Sequence, residues 1–460
     1  MNRFLSLFLL FLMSGVVMTG CSDNELRKDE PVLENPSDAG IERALATADA
    51  FFDQMGFSTR SNGRRVASVE TLSSSIYTRG ESSDTLLYLI NYENNKGFAL
   101  ISSELAGEDI YAISPKGNLT LADIESNPIL SDFLNDVAIK VTSDSALTQG
   151  EKIVVGDTKR YSYRVTDANV PLLSSKVINW NQLSPYNAYT PIVDTIKNGT
   201  TNKYVHGYVG CGPLSLTMLM SYYEHPKKSF PYGPYNPRTA IEMFTFNWDN
   251  IYNDTIFDVK THITKGENYS AKMLAFVGNK MGAKYEKDGT TTVPAKLGPT
   301  LVNLKYKDSF RFDNIGFKNI IDSVANFILF GSTYDNHFYK SAPVIAWGEP
   351  ISNGERHMWV IDGVVTRERR EWPNRNDSIA IIPTWTPAPP LFHCVWGWGK
   401  AVPGADGYYQ YVKNENRMDS LQYNPKDFGQ VTDTPGGIST GYKINPCYKN
   451  WGIFGGLIPE

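Results

Sequence analysis

A chain of 460 residues has room for roughly two to three domains, each burying a core of its own. A net charge of −5, with no basic stripe, excludes the electrostatic footprint of a nucleic-acid binder, so no nucleic-acid partner is expected. Aromatic residues make up 12%, enough for a well-filled core or for a substrate groove.

The chain opens with Arg3, an apolar run from Phe4 to Val17, and Met18-Thr19-Gly20-Cys21. That run is short for a bilayer span and reads as a signal peptide, residues 1–21. Its end resembles a bacterial lipobox, whose cysteine becomes the acylated first residue of the mature protein. Cys21 is therefore the expected lipidation site and the anchor to the outer membrane. Ser22-Asp23-Asn24-Glu25 is similar to the acidic surface-export signal of Bacteroidetes lipoproteins, which implies an exported protein at the cell surface. Ordinary secretion is the other reading of the same leader.

Residues 22–40 are polar and rich in Asp, Glu, Asn and Pro, as in a solvated tether. Ile41 to Gln54 carries Leu45, Ala48, Phe51 and Phe52 at helical spacing. Leu86 to Tyr92 and Phe98 to Ser102 flank Asn94-Asn95-Lys96-Gly97, the signature of a β-hairpin. Ile110 to Ser114 predicts another strand, and Pro128 to Lys140 a helix with Ile129, Phe133, Leu134 and Val137 on one face. Residues 41–145 thus form a small α+β unit. A polar stretch containing Lys159-Arg160 marks a boundary at 146–170, and 171–460 form the second domain. The pattern there is α+β, with one prominent helix after Cys211 and mostly antiparallel strands downstream. Arg367 to Pro390, charged and then proline-rich, reads as an inserted loop.

Within that domain, Gly207, Gly210 and Gly212 surround Cys211, and Leu214, Met218 and Tyr222 repeat at helical spacing before His225-Pro226. Pro213 is expected at the first helical position, where its missing N–H costs nothing. A cysteine at a helix N-terminus meets the positive end of the dipole and unpaired N–H groups, which favour thiolate. The same stretch also reads as a buried structural cysteine between glycines.

A cysteine nucleophile needs a base, usually histidine. His357 opens the run Met358-Trp359-Val360-Ile361, after the strand-like Pro343 to Trp347 and a turn at Asn353-Gly354. His393-Cys394-Val395-Trp396-Gly397-Trp398-Gly399 and Asp406-Gly407-Tyr408 follow, and Trp180-Asn181-Gln182 to Asn187 lies upstream. Gln182 could donate its amide to an oxyanion, beside the backbone N–H of Cys211. Taken singly, these segments also read as a structural histidine, an aromatic hairpin and a surface loop.

In this order the four segments resemble the streptopain-type cysteine peptidases, a papain-like family. Trp180 to Asn187 matches its W-x-Q-x-x-P-Y-N segment and Gly210 to Pro226 its nucleophile helix. Pro343 to Gly348 and His357 to Gly363 match its P-V-x-x-x-G and H-x-W-V-x-D-G motifs, and His393 to Tyr408 its last motif. The resemblance implies a papain-like α+β catalytic domain behind an inhibitory prodomain, residues 41–145, with activating cleavage within 146–170. The implied substrates are proteins or peptides, the prodomain is an intramolecular inhibitor, and no cofactor or metal is called for. Cys211 would be the nucleophile and His357 its base. Gln182 and the Cys211 amide would form the oxyanion hole, with Trp396 shielding and orienting His357.

The chain departs from the family pattern after the nucleophile, where Gly212-Pro213-Leu214 replaces a small Val-Ala run, in the longer stretch Arg367 to Pro390, and at one position of the last motif. Val395 stands where the family carries the asparagine that orients the histidine, and losing that group is expected to slow acylation roughly 10- to 1000-fold. A catalytically impaired binding protein on a peptidase scaffold is therefore the second reading, and Val395→Asn is expected to raise turnover. Four cysteines are present; with Cys21 lipidated, three remain, and any pairing, such as Cys394 with Cys447, leaves one thiol free.

Overall fold

The computed structural model describes residues 38–57, 64–73, 85–103, 107, 109–148, 160–198, 201–231, 243–253, 268–311, 317–334, 337–350, 357–372, 383–399, 402–410 and 448–459. The signal peptide, most of the tether and Cys447 fall outside these residues.

The N-terminal unit holds the predicted helices and hairpin and adds a strand, Val66–Ser73, and a short helix, Leu121–Ser126, outside the predicted elements. Helix α1 (Asp38–Gln54) buries Ala44, Ala48, Phe51 and Phe52, which share one helical face. Strands β1 (Val66–Ser73), β2 (Thr85–Tyr92), β3 (Phe98–Ser102) and β4 (Ile110–Ser114) pair in sequence as an antiparallel meander. Helix α2 (Pro128–Thr148) opens on a proline, whose absent N–H would have had no partner there, and runs well past Lys140. It buries Leu130, Leu134, Val137 and Val141.

Helices α3 (Cys211–Tyr223), α4 (Tyr269–Met281) and α5 (Phe317–Phe330) belong to the second unit. The helix after Cys211 is therefore not alone in prominence. Strand β5 (Arg160–Ala168) leads into this unit, and β6 (Ile192–Asn198) and β7 (Thr201–His206) form a hairpin before Cys211. Strands β8 (Tyr306–Arg311), β9 (Val344–Pro350), β10 (His357–Trp372), β11 (Thr386–Val395), β12 (Asp406–Gln410) and β13 (Tyr448–Pro459) form its share of the main sheet, beside short two-stranded pairs.

Among the described residues one eleven-stranded sheet runs through both units, in the order β1-β2-β3-β4-β12-β11-β10-β9-β13-β8, with β5 also paired to β10. The junction is the pairing of Tyr408 with Ile113 and Tyr409 with Ala112. Apolar packing is continuous across it. Leu130, Leu134, Val137 and Val141 of α2 share a core with Phe327 and Ile328 of α5 and with Trp396 and Tyr409 of the sheet.

Two expectations need correction. Residues 160–168 are not open linker but an eight-pair partner of β10, from Ala168↔Val365 to Trp372↔Arg160. Arg367 to Pro390 is not a plain loop either. Its two ends prolong β10 to Trp372 and start β11 at Thr386, with Arg369 paired to Thr386. Polar strands escape a search for apolar alternation because what makes them strands is pairing with a partner distant in sequence.

Candidate active site

Cys211 is the first residue of α3. Its N-cap, Gly210, has φ 91°, and a Cβ there would lie 2.8 Å from Thr290 Cγ2, so conformation and space both demand glycine. Pro213 is the third helical residue rather than the first, still within the turn whose N–H groups lack helical acceptors. Nearly all of α3 behind the cysteine is buried, which fixes the helix rigidly. The thiol itself is half-buried. Burial raises its pKa, against backbone hydrogen bonds at Met358, Gly212 and its own amide, which lower it.

Met358 directly follows His357, so the thiol sits against the strand that carries the candidate base. His357 begins β10, opposite Gly348 of β9, and is 6% exposed. Its Nε2 lies 3.1 Å from the carbonyl oxygen of Trp396. A carbonyl can only accept, so Nε2 carries the proton and Nδ1 is left as the basic nitrogen. Burial depresses this imidazole to a pKa of about 4, and the bond to Trp396 works in the opposite direction. Burial thus favours the neutral form of each group, thiol and imidazole.

Three indoles stand around that ring: Trp398 at 5.9 Å between centroids, Trp359 at 6.2 Å and Trp396 at 6.3 Å, with interplanar angles of 28°, 11° and 28°. Aromatic faces at this range exclude water and favour an imidazolium once one forms. Trp359 and Trp398, like the Trp396 carbonyl, escaped the sequence reading. The rings were visible as residues; their convergence depends on strand register.

Gln182 reaches the same place through its backbone. Its carbonyl accepts from Val209 N–H at 3.0 Å, two residues before Cys211. Its neighbour Asn181 forms a β-bridge with Trp398. The Gln182 loop is thereby tied both to the cysteine turn and to the tryptophans around His357.

Val395 does not face the imidazole. It is 1% exposed and belongs to the apolar core beneath α3, with Leu214, Met218 and Val360. The orienting acceptor comes from the next residue's main chain.

A second histidine forms a network of its own. His393 Nδ1 lies 2.5 Å from Asp362 and Nε2 2.5 Å from Asp406. Burial alone would depress it, but the two carboxylates push its pKa up to about 10. Asp362 also accepts from Leu173 N–H. The strands pass closely here, since a Cβ on Gly363 would lie 2.9 Å from His393 Cβ. All three residues lie within recognised motifs, yet only the pairing of β10, β11 and β12 brings them together. Cys394 is a free, buried thiol whose pKa burial raises.

The sequence profile described as the Peptidase C10 family matches residues 180–409. A second, described as Spi protease inhibitor, matches residues 30–141. Streptopain of Streptococcus pyogenes serotype M28 (strain MGAS6180) is 23% identical over 415 residues, covering 87% of this chain and 89% of its own. Streptopain of Streptococcus pyogenes serotype M1 is 22% identical over 419 residues with the same coverage. Among solved structures, a prointerpain A fragment of Prevotella intermedia is 16% identical, covers 75% of this chain and 92% of the fragment, and has a TM-score of 0.43. Active wild-type interpain A of the same species is 18% identical, with coverages of 54% and 87% and a TM-score of 0.31.

Proposed function

The chain belongs to the peptidase C10 family, and on that premise we propose that it is a cysteine endopeptidase made as a zymogen and acting through Cys211 and His357. The observation that carries the assignment of residues is the Cys211 thiol at the start of α3, against the backbone of Met358, the residue after His357, whose Nε2–H is already committed to the Trp396 carbonyl.

The reaction follows from these parts. His357 Nδ1 takes the thiol proton, and the sulfur adds to the scissile carbonyl. The Gln182 side chain and the Cys211 N–H receive the oxyanion, the term that usually dominates acyl transfer. Collapse breaks the C–N bond while the imidazolium returns its proton to the leaving amine. Water, deprotonated by the same nitrogen, then hydrolyses the thioester. The Trp396 carbonyl holds the imidazole in the tautomer this sequence requires, and the three indoles keep bulk water from it.

The N-terminal domain is the intramolecular inhibitor, and proteins or peptides are the substrates. The alternative of an impaired binding protein rested on Val395, and the carbonyl of Trp396 supplies the acceptor that valine lacks. Export, with lipidation at Cys21 and a place at the outer-membrane surface, is proposed on the leader sequence alone.

The test is mass-spectrometric labelling with an epoxide inhibitor of papain-like enzymes, before and after processing, beside Cys211→Ala. A stoichiometric adduct on Cys211 after processing, with peptide hydrolysis abolished in Cys211→Ala, is expected. Unchanged hydrolysis in that variant sinks the assignment.

A further inference from the structure

Residues 160–168 and the extended β10–β11 hairpin are distant in sequence and joined in space. Arg160 to Ala168 pairs along the outer half of β10, Val365 to Trp372, with one register shift that leaves Thr166 between the pairs of Val165 and Asp167. Side chains reinforce the ladder. Arg164 Nε donates to Glu368 at 2.7 Å, and its guanidinium lies 4.6 Å from the Trp385 ring. Trp372 Nε1 donates to Ser162 Oγ at 2.7 Å, and the hydroxyls of Thr166 and Thr366 meet at 2.8 Å. The opposite edge of β5 is occupied from α1: Val165 N–H donates to Gln54 Oε1 at 2.7 Å, and Gln54 Nε2 to the Tyr163 carbonyl at 3.4 Å.

The two edges differ in origin. Gln54 belongs to the inhibitory domain, whereas the hairpin belongs to the catalytic domain and stays after processing. Peptidases take their substrates as extended, unpaired chain, so a strand bonded along one edge must open locally before it can be cut. Arg164 illustrates the distinction: its side chain is 51% exposed, yet its backbone lies inside the ladder.

We propose that the β10–β11 extension is a clamp that retains β5 in the processed enzyme, so that activating cleavage falls at or upstream of Arg160 and the mature chain begins with β5. This rests on the reading that the chain is activated by cleavage between its two domains. It gives the extension a role in setting the mature N-terminus, and it removes residues 161–168 from the candidate processing region.

The experiment has two arms on the full-length chain. In the first, the wild-type protein processes itself and the N-terminus of the product is sequenced. In the second, Cys211→Ala, which cannot process itself, is treated briefly with trypsin and its fragments are weighed. The clamp predicts a mature N-terminus no later than Tyr161, and tryptic separation of the domains with the Arg164–Val165 bond intact. It also predicts that Glu368→Ala with Trp372→Ala, two changes near the molecular surface, speeds cutting after Arg164 by about tenfold. A mature N-terminus between Ser162 and Val170, or cutting after Arg164 as fast as after Lys159, overturns it. If the wild type does not process itself, the activation reading fails while the tryptic arm still decides the clamp.

Discussion

The carbonyl oxygen of Trp396 stands 3.1 Å from His357 Nε2, in the role that the family resemblance assigns to an asparagine side chain at position 395. A main-chain acceptor has no rotamers to lose and cannot be removed by a substitution at its own position. The family motif is thus broken at Val395 while the hydrogen bond that the motif serves is kept.

Restoring the asparagine should therefore do harm. Val395→Asn would bury an amide in the apolar core beneath α3, at a cost of about 1–3 kcal/mol. No rise in turnover and a lower urea midpoint are expected, reversing the gain that the sequence pattern suggests. Turnover raised tenfold in Val395→Asn would show that the carbonyl does not orient His357 adequately.

Acidification should destabilise the unprocessed chain through His357. Its folded pKa of about 4 lies below the 6.5 of a free imidazole, so the unfolded chain binds a proton that the folded one refuses. This contribution is complete above pH 6.5, falls as the pH drops from there to about 4, and amounts to about 3 kcal/mol. In a Cys211→Ala background, His357→Gln should lose less stability between pH 7 and 4 than its parent, as read by urea unfolding. Parallel curves would remove the buried neutral imidazole from the account.

His393 predicts the opposite sign. Its folded pKa of about 10 is raised by Asp362 and Asp406, so its contribution is full below pH 6.5 and is lost as the pH rises towards 10. Asp362→Asn should lower the His393 titration midpoint, followed by NMR, and cost about 3–5 kcal/mol at neutral pH, because it breaks a buried pair from one side. An unmoved midpoint would mean that Asp406 alone holds the charge.

A further ion pair joins the two domains. Arg367, wholly buried, approaches Asp109 of the inhibitory domain at 2.8 Å between Nη1 and Oδ1, out of line for a hydrogen bond. Its other nitrogens donate to the Pro389 carbonyl, the Ile110 carbonyl and Gln410 Oε1. Asp109→Asn should leave a buried guanidinium uncompensated, lowering stability by about 3–5 kcal/mol and hastening release of the cleaved prodomain. Prodomain release at the wild-type rate, measured by gel filtration after cleavage, would assign the latch elsewhere.

The parts of the site that were legible in the sequence are those with a local signature. Cys211 is announced by its glycine turn and apolar helix, and His357 by two continuous apolar runs on either side of a turn. The Trp396 carbonyl was hidden, because a backbone acceptor leaves no mark on composition. The His393 network was hidden because its three members lie on three strands and meet only through register. Strand β5 was misread as linker for a related reason: Ser162, Arg164 and Thr166 are polar, and the partner that makes them a strand lies about two hundred residues downstream.

The sheet junction also imposes an order in time. Ser114 Oγ donates to the Asp406 carbonyl across a separation of 292 residues, beside the pairing of Ile113 with Tyr408. A ribosome delivers the four-stranded meander first and the complementary strand only near the end of synthesis. Through that interval β4 presents an edge whose partner strand has not yet been made. Completion of the sheet therefore belongs to the last stage of the chain's synthesis, or follows it.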